Sequence, residues 1–314
     1  MEHRNLGNSG LKVSVVGLGC NNFGMRIDAE QSRVVVHKAL DLGINFFDTA
    51  DIYGNRGGSE EMLGKALGPK RRDVIVASKF GMPMGDQFAR GASRRYIMSA
   101  VEASLKRLNT DFIDLYQLHA PDAETPQEET LSALNDLVRA GKVRYLGSSN
   151  FTGWQVADAA WISRANEFAP YVSAQNQYNL LDRRIERELI PACRHFGVGI
   201  LPYFPLASGF LTGKYKKGAE PPKDTRLGAM GAMAARALSD ANFAVLEKLK
   251  EFAGSHGHSV LELAIGWLAS TPQVSSVIAG ATKPEQVADN VKAGEWKLTP
   301  QELDEVDKLT KRKD

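Results

Sequence analysis

The chain has 314 residues, 43% hydrophobic and 24% charged, a composition that supports a folded core and excludes a disordered or fibrous protein. Its 39 Lys and Arg nearly balance 37 Asp and Glu, giving a net charge of +2, so neither a nucleic acid nor another polyanion is expected as a partner. Two cysteines, Cys20 and Cys193, make neither a disulfide framework nor a zinc site, and no apolar run approaches the ~20 residues of a membrane span; a cytoplasmic, non-membrane protein without a leader is expected.

Residues 4–6 and 12–14, separated by a Gly/Asn/Ser turn, predict a β-hairpin. Beyond it short apolar strands alternate with amphipathic helices, the strands expected at 15–18, 44–47, 74–77, 113–116, 143–146, 172–175, 198–201 and 277–279. Ser93 leads into Ile97, Val101, Leu105 and Leu108, spaced to bury one side of a helix. Thr125-Pro126-Gln127-Glu128 opens a stripe of Leu131, Leu134, Leu137 and Val138 that Gly141 closes. Ser259-Val260-Leu261-Glu262, Thr282-Lys283-Pro284-Glu285 and Thr299-Pro300-Gln301-Glu302 repeat this start signal, the last of them for a helix beyond the eighth strand. The stretch 204–239, rich in Gly, Pro, Lys and Met, is too long for an ordinary loop and is read as a lid, with a disordered insertion as the alternative.

Eight strands alternating with helices either close into a barrel or wind an open sheet. An open dinucleotide-binding sheet needs Gly-x-Gly-x-x-Gly after the first strand. Here Gly17-Leu18-Gly19 is followed by Cys20, Asn21 and Asn22, with Gly24 two places too late. The pattern therefore favours a single α/β domain over residues 1–314, a (β/α)8 TIM barrel with additional C-terminal helices.

In a barrel, strand carboxyl ends share one mouth, and here they deliver Asp48 and Tyr53, Lys79, His119, Ser149-Asn150, Gln175-Asn176 and Tyr203. Taken singly these have plainer roles: Asp48 a turn cap, Lys79 a solvated lysine, His119 a packing residue, Tyr53 an aromatic wall. Together they suit proton delivery to a carbonyl oxygen. A tyrosine is a poor acid at neutral pH unless a cation such as Lys79 stabilises its phenolate, Asp48 keeps that cation charged, and His119 donates a hydrogen bond. His119 has no second ligand at metal spacing, so no metal is expected.

The runs Gly43-Ile44-Asn45-Phe46-Phe47-Asp48-Thr49-Ala50-Asp51-Ile52-Tyr53-Gly54, Asp114-Leu115-Tyr116-Gln117-Leu118-His119, Gly141-Lys142-Val143-Arg144-Tyr145-Leu146-Gly147-Ser148-Ser149-Asn150 and Gln175-Asn176-Gln177-Tyr178-Asn179, with the Lys79 strand, resemble the aldo-keto reductase family over nearly the whole chain. The resemblance implies a barrel plugged by the N-terminal β-hairpin, a catalytic tetrad of Asp48, Tyr53, Lys79 and His119, and NADP(H) bound without a Gly-rich fingerprint. It assigns Ser149, Asn150 and Gln175 to the carboxamide, Tyr203 to the nicotinamide ring, and Leu206, Ser208, Gly209, Leu211 and Lys214 to the pyrophosphate. Gly280, Thr282, Lys283, Gln286 and Asn290 fall to the adenosine and its 2′-phosphate, with Gly19, Cys20, Asn21 and Asp48 also against the cofactor. The chain departs from many relatives in carrying Phe204 for Ser and Lys283 for Arg.

The implied activity is reduction of an aldehyde or ketone by hydride transfer from nicotinamide, Tyr53 serving as general acid. The partner is a small carbonyl or alcohol substrate. Phe23, Met25, Phe80 and Met82 follow strands one and three and make either an apolar substrate mouth beside Tyr53 and His119 or plain loop packing. Two alternatives of other classes stand beside this reading. One is a redox-sensing binding subunit of the same fold, like the family's potassium-channel β subunits, against which the chain's start close to the hairpin speaks. The other is a barrel aldolase with Lys79 as Schiff-base nucleophile.

Overall fold

The structure, a computed structural model, describes residues 1–85 and 89–310. A hairpin of β1 (His3–Asn5) and β2 (Lys12–Ser14) precedes eight parallel strands: β3 (Val16–Gly19), β4 (Phe46–Asp48), β5 (Ile75–Phe80), β6 (Ile113–Leu118), β7 (Val143–Ser149), β8 (Tyr171–Gln177), β9 (Gly199–Tyr203) and β10 (Val277–Gly280). They lie side by side in the order β10-β3-β4-β5-β6-β7-β8-β9. The gap between the outer strands is bridged where Ile200 N–H donates to the Gln273 carbonyl at 2.9 Å and Ser275 N–H to the Ile200 carbonyl at 3.0 Å. The sheet is thus a nearly closed (β/α)8 barrel, as its alternating pattern predicts.

Side chains alternate across each strand. Phe46, Ile75, Ala77, Leu115, Leu201 and Ile278 face inward and meet Leu6 and Val13 of the hairpin, all buried. Their neighbours Phe47, Val76, Tyr116 and Ile200 face outward into the larger core beneath the helices. Those helices are α1 (Ala29–Asp41), α2 (Tyr53–Leu67), α3 (Arg94–Leu108), α4 (Gln127–Arg139), α5 (Gly153–Ala165), α6 (Leu189–Phe196), α7 (Arg226–Ala229), α8 (Asp240–Ser255), α9 (Val260–Ser270), α10 (Pro284–Ala293) and α11 (Pro300–Thr310).

Several expected starts form as written. Ser93 accepts from Tyr96 N–H, Ser259 and Glu262 cap each other reciprocally, and Thr299 and Glu302 do the same. Two differ. Pro126 and Lys283, not Thr125 and Thr282, stand at the caps of α4 and α10, and neither supplies a side-chain cap. At α10, Pro284 holds Lys283 out of the helical region and the helix begins one residue later than the Thr signal; at α4, Pro126 is itself extended, at ψ 134°, and the start moves past it. Thr125 instead donates to Asp122 at 2.8 Å, and Thr282 N–H donates to Gln286 Oε1 at 2.8 Å.

The stretch 204–239 is folded into short helical turns at Ala207–Thr212, α7 and Gly231–Arg236, anchored by fully buried Phe210, Leu211 and Leu227. At the opposite end of the barrel the hairpin is stitched to the strand starts. Ser14 N–H donates to Asn45 Oδ1 at 2.7 Å and Asn8 N–H to the Gly197 carbonyl at 2.7 Å. Asn45 N–H donates in turn to Ser14 Oγ at 3.2 Å, a side-chain and not a ladder bond, and β4 begins at Phe46 and not at Ile44.

Gly7 lies where the hairpin presses closest, at φ +55°, and a Cβ there would sit 2.4 Å from the Gly197 carbonyl oxygen. Gly7→Ala should lower stability by more than the ~1–2 kcal/mol that a left-handed alanine alone costs. Urea denaturation measures this, and an unchanged midpoint would show that the hairpin is not wedged into the barrel floor.

Candidate active site

The carboxyl ends of the barrel strands open on a cavity of about 600 Å³. Beneath its floor lies Lys79 of β5, wholly buried, whose ammonium donates to Asp48 Oδ2 at 2.7 Å and to the Thr49 carbonyl at 2.8 Å. The other Asp48 oxygen accepts from Gln175 Nε2 at 2.8 Å and Gln117 Nε2 at 3.3 Å. Four strands therefore converge on one carboxylate. Burial works to discharge Lys79, but Asp48 and Tyr53 outweigh it and hold the ammonium above its ordinary range.

Tyr53 stands over this pair, with the Lys79 nitrogen 4.9 Å from its ring centre and the His119 ring edge-on at 5.6 Å. Burial pushes the Tyr53 hydroxyl pKa up, Lys79 pulls against it and Asp48 adds to the rise. The net direction is upward, so Lys79 moderates a tyrosine that its setting would otherwise make a still weaker acid. Burial, then the Lys79 charge, pushes His119 down to about 3, leaving it neutral at ordinary pH. Its Nδ1 is buried without a partner among the described residues.

Tyr53 is placed by a turn of unusual hand. Gly54, Asn55, Arg56 and Gly57 all have positive φ, so the chain makes a left-handed turn before the right-handed part of α2 begins. Gly54 is required there, because a Cβ would meet the Ser59 nitrogen at 2.3 Å. Behind the turn, buried Glu60 accepts from Ser78 Oγ at 2.5 Å and from Arg107 Nε at 2.6 Å. Beside it Asp51 donates its N–H to the Lys79 carbonyl at 3.0 Å and accepts from the Tyr96 hydroxyl at 3.4 Å.

Across the floor, Ser149 Oγ donates to the Gln175 carbonyl at 2.9 Å, Asn150 Nδ2 to the His119 carbonyl at 2.9 Å, and the Tyr203 hydroxyl to Asn150 Oδ1 at 2.8 Å. The cavity then runs past Leu206, Ser208, Gly209 and Lys214 on one side. On the other it passes Gly19, Asn21, Gly280, Thr282, Lys283, Gln286 and Asn290.

Other expected site residues do not reach it. Cys20 is fully buried, with its sulfur on the Leu18 carbonyl at 3.6 Å, and Leu211 is likewise wholly buried. Phe23 and Phe80 have no exposed surface and do not line the cavity; Phe80 stacks on Tyr116 at 4.7 Å. Of the two readings for that apolar pair, the structure takes packing. Met25 is 70% exposed and makes no wall of the cavity.

Several lining residues carry no signal in the sequence. Arg26, after β3, donates to the Asp224 carbonyl and so ties the 204–239 stretch across the opening. Arg226, at the start of α7, lays its guanidinium 4.5 Å over the Phe204 ring inside the cavity. Arg26 lies in a loop and Arg226 opens a four-residue helix, too short for either to show a spacing pattern. Asp289 was legible, since it lies one helical turn beyond Gln286 on the same face of α10. Among the described residues no group of three or more His, Cys, Asp and Glu is arranged to hold a metal, and no helix is long and apolar enough to cross a membrane.

Comparison with known sequences agrees with this geometry. The profile of the Aldo/keto reductase family matches residues 15–311. A probable voltage-gated potassium channel subunit beta of Oryza sativa subsp. japonica is 38% identical, with 100% of this chain and 98% of that protein aligned. An uncharacterized oxidoreductase of Bacillus subtilis is also 38% identical, over 95% of this chain and 92% of its own. An L-glyceraldehyde 3-phosphate reductase of Escherichia coli is 35% identical, over 93% and 87%.

Burial, reinforced by the Glu60 charge, pushes the Asp51 carboxyl from 3.8 up to about 7. The folded protein then keeps a proton that the unfolded chain gives up, so this contribution to stability is complete below about pH 4 and is lost as pH rises through about 7. Asp51→Asn cannot ionise and escapes that loss. Its melting temperature relative to wild type should climb between about pH 5 and pH 8; a flat difference would mean that Asp51 is ionised throughout.

Proposed function

Because the chain belongs to the Aldo/keto reductase family, we propose that residues 1–314 form one NADPH-dependent reductase of an aldehyde or ketone, with Tyr53 as general acid. The reductase-named relatives support oxidoreductase chemistry on a small carbonyl compound. The observation that carries the finer reading is the buried Lys79–Asp48 pair at 2.7 Å under a cavity-facing tyrosine and a neutral histidine.

The residues present fit a phosphorylated dinucleotide. The cavity extends from Tyr53 to α10, Gly19, Gly209 and Gly280 bring backbone to its walls, and Arg26, Lys214, Arg226 and Lys283 line it as cations for a pyrophosphate and a further phosphate. At α10 no side chain caps the first-turn amides, which leaves a helix N-terminus open to an anion. Ser149, Asn150 and Gln175 would hold the carboxamide, and Tyr203 would lie against the ring.

Bound there, a reduced nicotinamide supplies the hydride for the carbonyl carbon. The protein supplies the proton. Tyr53, kept protonated by its raised pKa, gives its hydroxyl proton to the carbonyl oxygen as negative charge grows there, and the Lys79 ammonium stabilises the phenolate left behind. Asp48 keeps Lys79 charged and aimed. His119, neutral at the working pH, donates a hydrogen bond that orients the substrate oxygen and is not the principal acid. The same pairing argues against a Schiff-base aldolase, since an ammonium held charged by a carboxylate has no free electron pair for attack on a carbonyl. Similarity to proteins named as potassium-channel β subunits favours one second reading, in which this chemistry regulates a partner. Stable capture of a channel protein with negligible turnover on any carbonyl would select it.

Tyr53→Phe should bind NADPH as wild type does and lose roughly 10²–10⁴ in kcat, followed by NADPH absorbance with aromatic aldehydes, dicarbonyls and keto-sugars. Near-normal turnover would remove Tyr53 from the acid role.

Lys283 stands exposed at the α10 cap, where its charge can meet a 2′-phosphate. NADPH should bind roughly ten- to a hundredfold more tightly than NADH, the range of one charge-assisted contact. Lys283→Glu should erase that margin and leave NADH affinity nearly unchanged. Quenching of tryptophan fluorescence gives both constants, and a variant weakened equally for the two would show that Lys283 does not read the phosphate.

A further inference from the structure

The turn that presents Tyr53 and the strand that carries Lys79 must keep a fixed spacing, and the backbone secures only part of it. The ladder from β4 onto β5 ends at Asp51, whose N–H donates to the Lys79 carbonyl at 3.0 Å, two residues short of Tyr53. The left-handed turn then leaves the sheet, and Glu60 ties it back. Glu60 is fully buried, and its Oε1 accepts from Ser78 Oγ at 2.5 Å, Ser78 being the β5 residue immediately before Lys79. Its Oε2 accepts from Nε of Arg107, near the end of α3, at 2.6 Å. The Arg107 stem also lies against the end of the turn, so closely that a Cβ on Gly57 would meet its Cδ at 2.4 Å. Beside it α2 and α3 touch backbone to backbone, a Cβ on Gly64 falling 2.4 Å from the Leu108 carbonyl oxygen, which fixes where Arg107 stands.

Stability alone does not account for this arrangement. The buried residues of the two helices are otherwise largely apolar, among them Leu63 and Leu67 of α2 and Val101, Leu105 and Leu108 of α3. An ion pair in such surroundings recovers little beyond its desolvation cost, and apolar residues of similar volume are often as stable or more so. What the pair supplies is geometry, since charge-assisted hydrogen bonds are short and directional. We propose that Glu60, held by Arg107, is a positioning residue for carbonyl reduction: it fastens the turn that bears Tyr53 to the strand that bears Lys79, and so keeps the phenol over the ammonium. The proposal rests on the reading of Tyr53 as the acid. Proton transfer from Tyr53, and the support Lys79 gives the phenolate, depend steeply on separation, and a misplacement of about 1 Å can cost roughly 10²-fold in rate. Glu60, Ser78 and Arg107 do not line the cavity, so slackening this brace should slow the chemical step and leave the binding surfaces in place.

The triple variant Glu60→Leu/Ser78→Ala/Arg107→Met removes all three partners together and leaves no charge unpaired, so it should melt within a few degrees of wild type. Steady-state NADPH oxidation should show kcat lowered at least about tenfold, with KM and the NADPH dissociation constant within about twofold of wild type. Added to Tyr53→Phe, the same three changes should lower the residual rate by less than about twofold, because the brace acts through Tyr53 and a general loosening of the fold would not. Where circular dichroism shows the triple variant unfolded, Ser78→Ala, which keeps the ion pair, carries the test: kcat should fall at least about threefold with KM unchanged, and Tyr53→Phe should again be indifferent. Wild-type kcat in the folded variant would overturn the proposal, and so would a loss that falls on KM or recurs in the Tyr53→Phe background. Near-normal turnover by Tyr53→Phe itself would remove the acid reading and this proposal with it, an outcome distinct from the failure of the brace alone.

Discussion

A fully buried ammonium is the constraint on which this molecule turns. Lys79 has no access to water, so its charge must be matched inside the protein, and Asp48 and the Thr49 carbonyl do so at 2.7 and 2.8 Å. Leaving either ion of such a pair alone costs about 3–5 kcal/mol, so the pair exists only where the surrounding strands keep register. Asp48 is fixed in turn by Gln117 of β6 and Gln175 of β8. The barrel is what holds four strand ends to that tolerance. In return, the site obtains a fixed positive charge under Tyr53 that solvent cannot screen.

The same burial sets the division of labour above the pair. His119 loses its proton because burial strips water from a charged imidazole and, secondarily, because Lys79 repels a second cation, while Tyr53 retains its own because a buried phenolate is costly. Two groups that titrate roughly 3.5 units apart in water are thus driven further apart, and both are left neutral at ordinary pH. The supports lie on every side. The left-handed turn at Gly54 delivers Tyr53, the Glu60–Arg107 pair holds the turn from behind, and the hairpin seals the barrel's far end with Leu6 and Val13.

Much of the architecture was legible because its signals are local. Apolar runs of strand length and Ser or Thr caps with a carboxylate three residues on act through neighbouring atoms, and Ser93, Ser259 and Thr299 cap as their sequence says. Where two local rules compete the reading slips. At Thr282 the proline rule prevails, since Pro284 holds Lys283 out of the helix and moves its start by one residue, whereas Thr125, with the same Thr-Pro start as Thr299, is drawn off by Asp122. The strands also run further than their apolar letters, β5 to Phe80 and β8 to Gln177, because backbone pairing with β6 and β9 continues past the polar Lys79 and Gln175.

From the sequence alone came the alternation that implies a barrel, and the order of Asp48, Tyr53, Lys79 and His119 along it, whose likeness to a known family implies a tetrad. Both are properties of residues near one another in the chain or carried at strand ends. Tertiary structure alone decided which side chains around the barrel mouth face the cavity and which turn away from it. Phe23, Phe80, Cys20 and Leu211 turn into the packing, whereas Arg26 and Arg226, some two hundred residues apart, meet at the cavity mouth. It also decided the protonation of His119, Tyr53 and Asp51, since desolvation is a property of everything packed around a group, and the groups around these come from strands and helices distant in sequence.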